Sequence, residues 1–576
     1  MQIQPNSMKR YGRCIVLYKG EEVMNYKIAA AWCAMMLCSS AAMASSPIPT
    51  FDKEAVTVHP YQRTGQQEKT LDMQGIDDSK LGNTGTAEHP TFYVQKIIID
   101  STTPPDAADS DGTLQHILDS YSHRSISVEE LSALTAKVTE YYRTQGYTVP
   151  QAVVPPQEVE NGVLKIHVYT AKYDTITLTK NESDVKDSVL QRYIHNLEVG
   201  ETIKDKPLEL AMNNLNDLPA VTARAVLAPG TQSGTTKLSV EVLRRPVWNN
   251  YVFFDNGGGY YSGKYRYGFH TEINNPAHMG DKIILSGMLT NHDVKNYSMR
   301  YELPVGCDGT RWGIGWSQSS YELHTNNLYD SLGQSRGISW YGLTPLYRDR
   351  MNRLTLLYGY DHRSIRDRQH LNILSEPEIV TDKTSNVWHI GVSGSQYYPN
   401  QFTQYDVIYW LGRMHTDDHM GSATNYDGTY HKLTGDLLTV WYDGPWNYRI
   451  NASGQLANRS LDGSEQFYLG GMNGVRAYGA SDGYGDAGYL VSGEIRRQTG
   501  IKNLEAAVFI DTAGAKVRGG EPAWDHLSGW GVGLRYQKPD DWNVQLDYAW
   551  KINGRDDRTE PNTHDGRLWL QVYKMF

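Results

Sequence analysis

Cysteine is scarce in this chain of 576 residues, and three of its four cysteines (Cys14, Cys33, Cys38) fall within the first forty positions. Cys307 stands alone in the remainder, and a single thiol closes no internal disulfide. Clustered Cys/His spacing is missing too: none of the 18 histidines stands in an H-E-x-x-H pattern, so no metal site is expected. Positive charge is not in excess. A formal net charge of −10 and a pI near 6.0 argue against nucleic acid as the main partner. Phenylalanine is rare as well, at 9 residues against 40 tyrosines, 14 tryptophans and 53 glycines.

Long apolar runs are confined to one place, Ile28 to Ala44, which follows Lys27 and ends Ala42-Met43-Ala44. A basic start, a short apolar stretch and an Ala-x-Ala end describe a secretory signal over residues 1–44, with cleavage after Ala44. A start at Met24 would make that signal compact. With no other helical span, any membrane residence falls to strands. The mean hydropathy of −0.54 does not oppose this, because a transmembrane barrel alternates lipid-facing and lumen-facing residues and averages low. A large soluble β-protein such as a propeller is the alternative that composition alone leaves open.

Residues 45–89 are polar, with Pro47, Pro49 and Pro60, and read as a linker in which Phe51 to Val58 could begin a short helix. The pattern changes at Phe92, where Phe92 to Ile99 reads as a strand. Ser127 and Glu130 then open a helix as a capping box, and Gly146 stops it. Strands follow at Ala152–Val154 and Val163–Val168. A second unit repeats the order: a strand at Ile176–Leu178, helices at Ser188–Leu197 and Pro207–Leu218, and strands at Val221–Leu227 and Lys237–Val242. These are two β-α-α-β-β modules of roughly 75–80 residues each, at 90–172 and 173–245. Tyr142-Arg143-Thr144-Gln145-Gly146-Tyr147, followed by Gly162 to Val168, resembles the polypeptide-transport-associated (POTRA) domain of two-partner secretion transporters, the haemolysin activator/secretion family. The resemblance implies a second such domain and then an outer-membrane barrel, with the POTRA domains in the periplasm, and it allows the segment after the signal to plug the lumen as a helix.

From 247 to 576 only strands and turns recur, giving about sixteen candidates, an even number as bacterial outer-membrane barrels require. Candidates at 310–320, 334–345, 351–360 and 384–395 are among them. Alternation is clearest late in the chain. Trp542, Val544, Leu546, Tyr548 and Trp550 share a face opposed by Asn543, Gln545 and Asp547, and Trp530 to Tyr536 alternates against Gly529 to Arg535. Short connections such as Asn291-His292 and Gly444-Pro445 are expected as periplasmic turns. The Asn274-Asn275-Pro276 corner reads as a structural turn. The expected fold is therefore α+β periplasmic modules followed by an all-β transmembrane barrel of about sixteen antiparallel strands.

Within the barrel region, Gly470 to Tyr478 is too glycine-rich and polar for a strand. It lies in a long segment, 457–486, expected to fold into the lumen. Val475-Arg476-Ala477-Tyr478 resembles the Val-Arg-Gly-Tyr tip of a loop in the barrel-assembly and two-partner-secretion superfamily. There the arginine pairs with the aspartate of a Phe-x-Asp motif, which here implies Arg476 with Asp511, beside Phe509 and Gly514. Ala477 departs from the usual glycine. Gly479 to Gly483 formally matches a G-x-S-x-G nucleophile elbow but lacks the strand before and the helix after that the elbow requires. No enzyme and no cofactor is expected. The family resemblance implies export of a haemolysin- or adhesin-like exoprotein, with lipid and the barrel-assembly machinery as further partners. Insertion of other barrel proteins, or a passive porin, are the alternatives.

Overall fold

The computed structural model describes residues 91–101, 112–260, 262–292, 294–325, 329–349, 351–371, 379–418, 426–480, 482–518, 524–552 and 566–576. The signal segment, the linker with its expected plug helix, and Ser481 of the rejected elbow lie outside them. The described residues form two compact units, one of 91–245 with 278–280 and one of 246–277 with 281–576.

In the first unit, β1 (Phe92–Val94) and β2 (Lys96–Ser101) are followed by α1 (Thr113–Asp119), β3 (Arg124–Ile126), α2 (Val128–Thr144), β4 (Pro150–Val153) and β5 (Val163–Thr170). The capping box forms as expected: the Glu130 N–H donates to Ser127 Oγ at 3.2 Å, and the Ser127 N–H donates to Glu130 Oε2 at 3.0 Å. β2 and β5 pair in parallel and β4 pairs antiparallel to β5. Leu164, Ile166 and Val168 point from β5 into a core with Val94, Ile126, Leu134 and Val138. The second module repeats the plan with β6 (Lys172–Asn181), α3 (Asp187–Ile194), α4 (Asp205–Asn216), β7 (Val221–Pro229) and β8 (Thr235–Arg244). Here β6 and β8 are parallel and β7 is antiparallel to β8. The two modules are joined by backbone: the Asp205 N–H donates to the Gly146 carbonyl at 2.9 Å and the Thr148 N–H to the Ile203 carbonyl at 3.2 Å.

The second unit is a closed antiparallel barrel of sixteen strands. Its first eleven are β9 (Trp248–Asp255), β10 (Arg266–Asn274), β11 (Lys282–Thr290), β12 (Lys295–Pro304), β13 (Arg311–Thr325), β14 (Tyr329–Arg348), β15 (Asn352–Leu371), β16 (Ile379–Tyr398), β17 (Gln401–Asp418), β18 (Gly428–Asp443) and β19 (Trp446–Ala457). A short hairpin, β20 (Phe467–Tyr468) with β21 (Tyr484–Gly485), belongs to the segment that follows. The last five strands are β22 (Ala487–Gln498), β23 (Leu504–Lys516), β24 (Asp525–Gln537), β25 (Trp542–Lys551) and β26 (Gly566–Met575), which closes on β9. Trp530, Val532 and Leu534 are exposed while Arg535 and Asp547 are buried, so the alternation read from the sequence separates the outer surface from the lumen. Trp530 stacks on Trp550 across β24 and β25 at 4.8 Å.

Counting strands from Trp248, where the chain enters the barrel, puts the turns at 275–281, 305–310, 399–400 and 444–445 at the entry end. Asn291-His292 therefore lies at the opposite, outer end, which corrects its expected grouping with Gly444-Pro445. The pairing there is short because β11 and β12 both stop early, whereas β13 to β18 run on for 15 to 20 residues.

Gly146 carries a positive φ of 85° with nothing within 4 Å of the position a Cβ would take. Gly146→Ala is expected to destabilise the first unit by about 1 kcal/mol through backbone strain alone. Thermal unfolding should show this unit melting earlier, with the SDS resistance of the unheated barrel unchanged.

Candidate functional site

The segment between β19 and β22 turns into the barrel interior, where Val475 is fully buried and Ala477 and Tyr478 are nearly so. Its tip is a tight reversal in which the Val475 N–H donates to the Leu469 carbonyl at 2.7 Å and the Gly471 N–H to the Tyr478 carbonyl at 3.2 Å. Glycine is needed at 474, since a Cβ there would lie 2.3 Å from the Leu469 carbonyl oxygen. Ala477 is not among the residues with positive φ, so its departure from glycine costs the backbone little. Its methyl sits opposite Gly529 of β24, where a Cβ would come within 2.5 Å of it.

Arg476 reaches Asp511 on β23 as a fork: Nε donates to Oδ2 at 2.9 Å and Nη2 to Oδ1 at 2.8 Å. The Arg476 backbone N–H adds a third bond to Oδ2 at 3.1 Å, and Ser492 Oγ donates to Oδ1 at 2.7 Å. The guanidinium carbon lies 3.3 Å from the centroid of the Phe509 ring. Arginine can present a planar fork beneath an aromatic face; lysine cannot.

The sequence led to one ion pair, and the structure holds more. Arg476 Nη1 lies 3.0 Å from Glu494 Oε2 and 3.4 Å from Asp547 Oδ2. Arg535 bridges the same two carboxylates, at 2.6 Å to Asp547 and 3.1 Å to Glu494, and Arg496 Nε donates to Glu494 at 2.6 Å. Trp569 Nε1 donates to the Arg476 carbonyl at 2.6 Å, tying the tip to the last strand. Arg535 and Asp547 are lumenal by alternation, so they were within reach of the sequence. Their pairing needs the register of β24 and β25.

A second anchor lies earlier in the same segment. Asp462 meets Lys383 of β16 at 3.0 Å, and Lys383 also meets Asp367 of β15 at 3.1 Å. Glu465 meets Lys432 of β18 at 2.6 Å and Arg363 of β15 at 3.0 Å. Each carboxylate of this segment is almost wholly buried. No motif announces these residues, because a loop has no period and Arg363 and Lys383 fall just beyond the strand ends that the sequence suggests.

Gly514, expected with the lumenal motif, faces outward instead: its Cβ direction leads to the Tyr489 ring and to His526 on the outer face. Three residues on from Asp511, a strand of period two has turned to the other side. Phe509 is lumenal and buried as expected. In the first module Tyr142 and Tyr147 are buried with ring centroids 5.5 Å apart, and burial, with the neighbouring tyrosines, pushes the Tyr142 phenol up to about 12. Arg143 is exposed and 3.6 Å from Glu140. The Tyr142–Tyr147 motif is thus a packing and turn device.

Residues 234–536 match the family described as haemolysin secretion/activation protein ShlB/FhaC/HecB, and residues 105–170 match the ShlB-type POTRA domain. The heme/hemopexin transporter protein HuxB of Haemophilus influenzae is 25% identical over 490 residues, covering 80% of this chain and 84% of its own length. The outer membrane transporter CdiB of Dickeya dadantii is 23% identical over 439 residues, covering 72% and 74%. Among solved structures, CdiB from Escherichia coli superposes with a TM-score of 0.67 at 18% identity, over 89% of this chain and 96% of that one.

Arg476→Ala and Lys432→Ala each leave buried carboxylates short of a countercharge, at about 3–5 kcal/mol apiece. Added protease should then cut within 458–486 of the purified, still SDS-resistant barrel, where the native segment resists. Arg476→Lys should be intermediate, keeping charge but losing the fork.

Proposed function

This chain belongs to the ShlB/FhaC/HecB family of haemolysin secretion/activation proteins, and from that premise we propose that its lumenal segment is the gate of the export pore. The protein is an outer-membrane translocator of two-partner secretion with its POTRA domains in the periplasm, and transporters of this family work with a secreted partner. The observation that carries the gate reading is the double anchorage of 458–486 by buried ion pairs, at Arg476–Asp511 and at Asp462/Glu465. Two arrangements, anchored inside and released, make a bistable element of the kind that switches.

The partner on this reading is a haemolysin- or adhesin-like exoprotein of β-helical type, and barrel insertion falls to the assembly machinery. Residues 90–172 and 173–245 act as two receptor modules. Their three-stranded sheets end in edge strands (β2 and β4, then β6 and β7) that suit an extended segment added by main-chain hydrogen bonds. The export step needs no nucleotide and no catalysis: a chain that folds outside the membrane cannot slide back. Arg476→Ala is expected to leave an SDS-resistant barrel in the outer membrane while secretion of the partner collapses. Measuring partner protein in the medium against folded transporter in the membrane tests this, and normal secretion by the inserted variant would overturn it.

A further inference from the structure

Strands β14, β15 and β16 are 20 residues long, about twice the 9–11 that a membrane crossing needs. Their outer halves therefore continue past the hydrocarbon edge. One cross-strand row on the outward face reads Trp340, Tyr360, Trp388 and Leu411, paired residue to residue from β14 to β17. Aromatic side chains of this kind mark a membrane interface. One step further out the same strands offer Ile338, His362, Asn386 and Arg413, and the next row holds Arg336 and Ser364. Arg366 and Arg368 follow on β15.

All four arginines are exposed. Asp382 lies among them, held by the Arg366 fork at 2.6 and 2.9 Å. Strands lie about 4.8 Å apart and same-face residues about 7 Å, so Arg336, Arg366 and Arg368 are close enough to share one charged group, while Arg413, three strands across from Arg336, stands roughly 15 Å away, where it meets a second charge of the same headgroup. Among the described residues, no other barrel strand carries an outward arginine at this end. The feature is a sector, not a ring.

A guanidinium in hydrocarbon is costly, but at headgroup depth it meets phosphate, which it holds bidentately. Below the arginines the same strands present Ile390, Val407 and Tyr409 outward, all exposed, a surface that takes acyl chains. Cations above an apolar face fit a lipid better than a free anion. We propose that the outward face of β14 to β17, through Arg336, Arg366, Arg368 and Arg413, binds a phosphorylated glycolipid of the outer leaflet. This rests on the outer-membrane placement of the barrel and is independent of the lumenal gate.

The test is native mass spectrometry of the full chain in detergent, titrated with diphosphoryl lipid A, a dephosphorylated lipid A, and inorganic phosphate as competitor. The native protein should bind the diphosphoryl lipid at least about tenfold more tightly than the dephosphorylated one. The pair Arg336→Gln with Arg413→Gln should weaken it roughly 25-fold, about fivefold per cation, while the corresponding lysine pair should keep most of the affinity. Equal binding of both lipids by the native protein would overturn the proposal without recourse to any variant. So would displacement by inorganic phosphate at concentrations matching the lipid, or undiminished binding by an SDS-resistant glutamine variant.

Discussion

A guanidinium with little access to water must have its countercharge in place, and the interior of this barrel is arranged around that demand. Arg476 arrives on a glycine-hinged tip, and β22, β23 and β25 each present a carboxylate to it, Glu494, Asp511 and Asp547. Arg535 and Arg496 balance the excess negative charge. Breaking such a pair from one side costs about 3–5 kcal/mol, more than one ordinary surface contact supplies. The tip is thus fixed by charge together with apolar packing, since Val475, Ala477 and Tyr478 pack beside it.

An ionic anchorage suits a pore that must open. Apolar plugs expose apolar surface when they leave, at roughly 25 cal/mol per Å². Ion pairs that separate into a hydrated channel regain solvation for both partners, so the released state is less unfavourable than the strength of the closed contacts suggests. The two anchors also grip different stretches of wall. Asp462 and Glu465 hold the entry of the segment to β15, β16 and β18, while Arg476 holds its tip to β22, β23 and β25.

Much of this was legible in the residues. The sixteen strands show because lipid and lumen demand opposite side chains, so Trp542 to Trp550 writes its two faces in alternation. Where the strands leave the membrane that contrast ends. Arg366 and Arg368 outward and Asp367 inward are all charged, so β15 reads as ending near residue 360 although it continues to Leu371. Gly514 faces outward although the motif groups it with Asp511, because glycine has no side chain to declare a face and only the period of two places it. The seven-residue α1 is too short to display a helical period. The partners Lys383 and Lys432 lie nearly 80 and just over 30 residues from the acids they meet, Asp462 and Glu465, a proximity that only the closed barrel creates.

The central claim, that the tip sits in the lumen at rest and leaves when cargo passes, is tested most directly by asking when water reaches residue 475. Val475 is fully buried, so Val475→Cys in a background with Cys14, Cys33, Cys38 and Cys307 replaced by serine gives a single probe for a membrane-impermeant maleimide. The account predicts no labelling of the resting transporter and rapid labelling once the partner exoprotein is being exported. Protection that persists unchanged while secretion proceeds would contradict it.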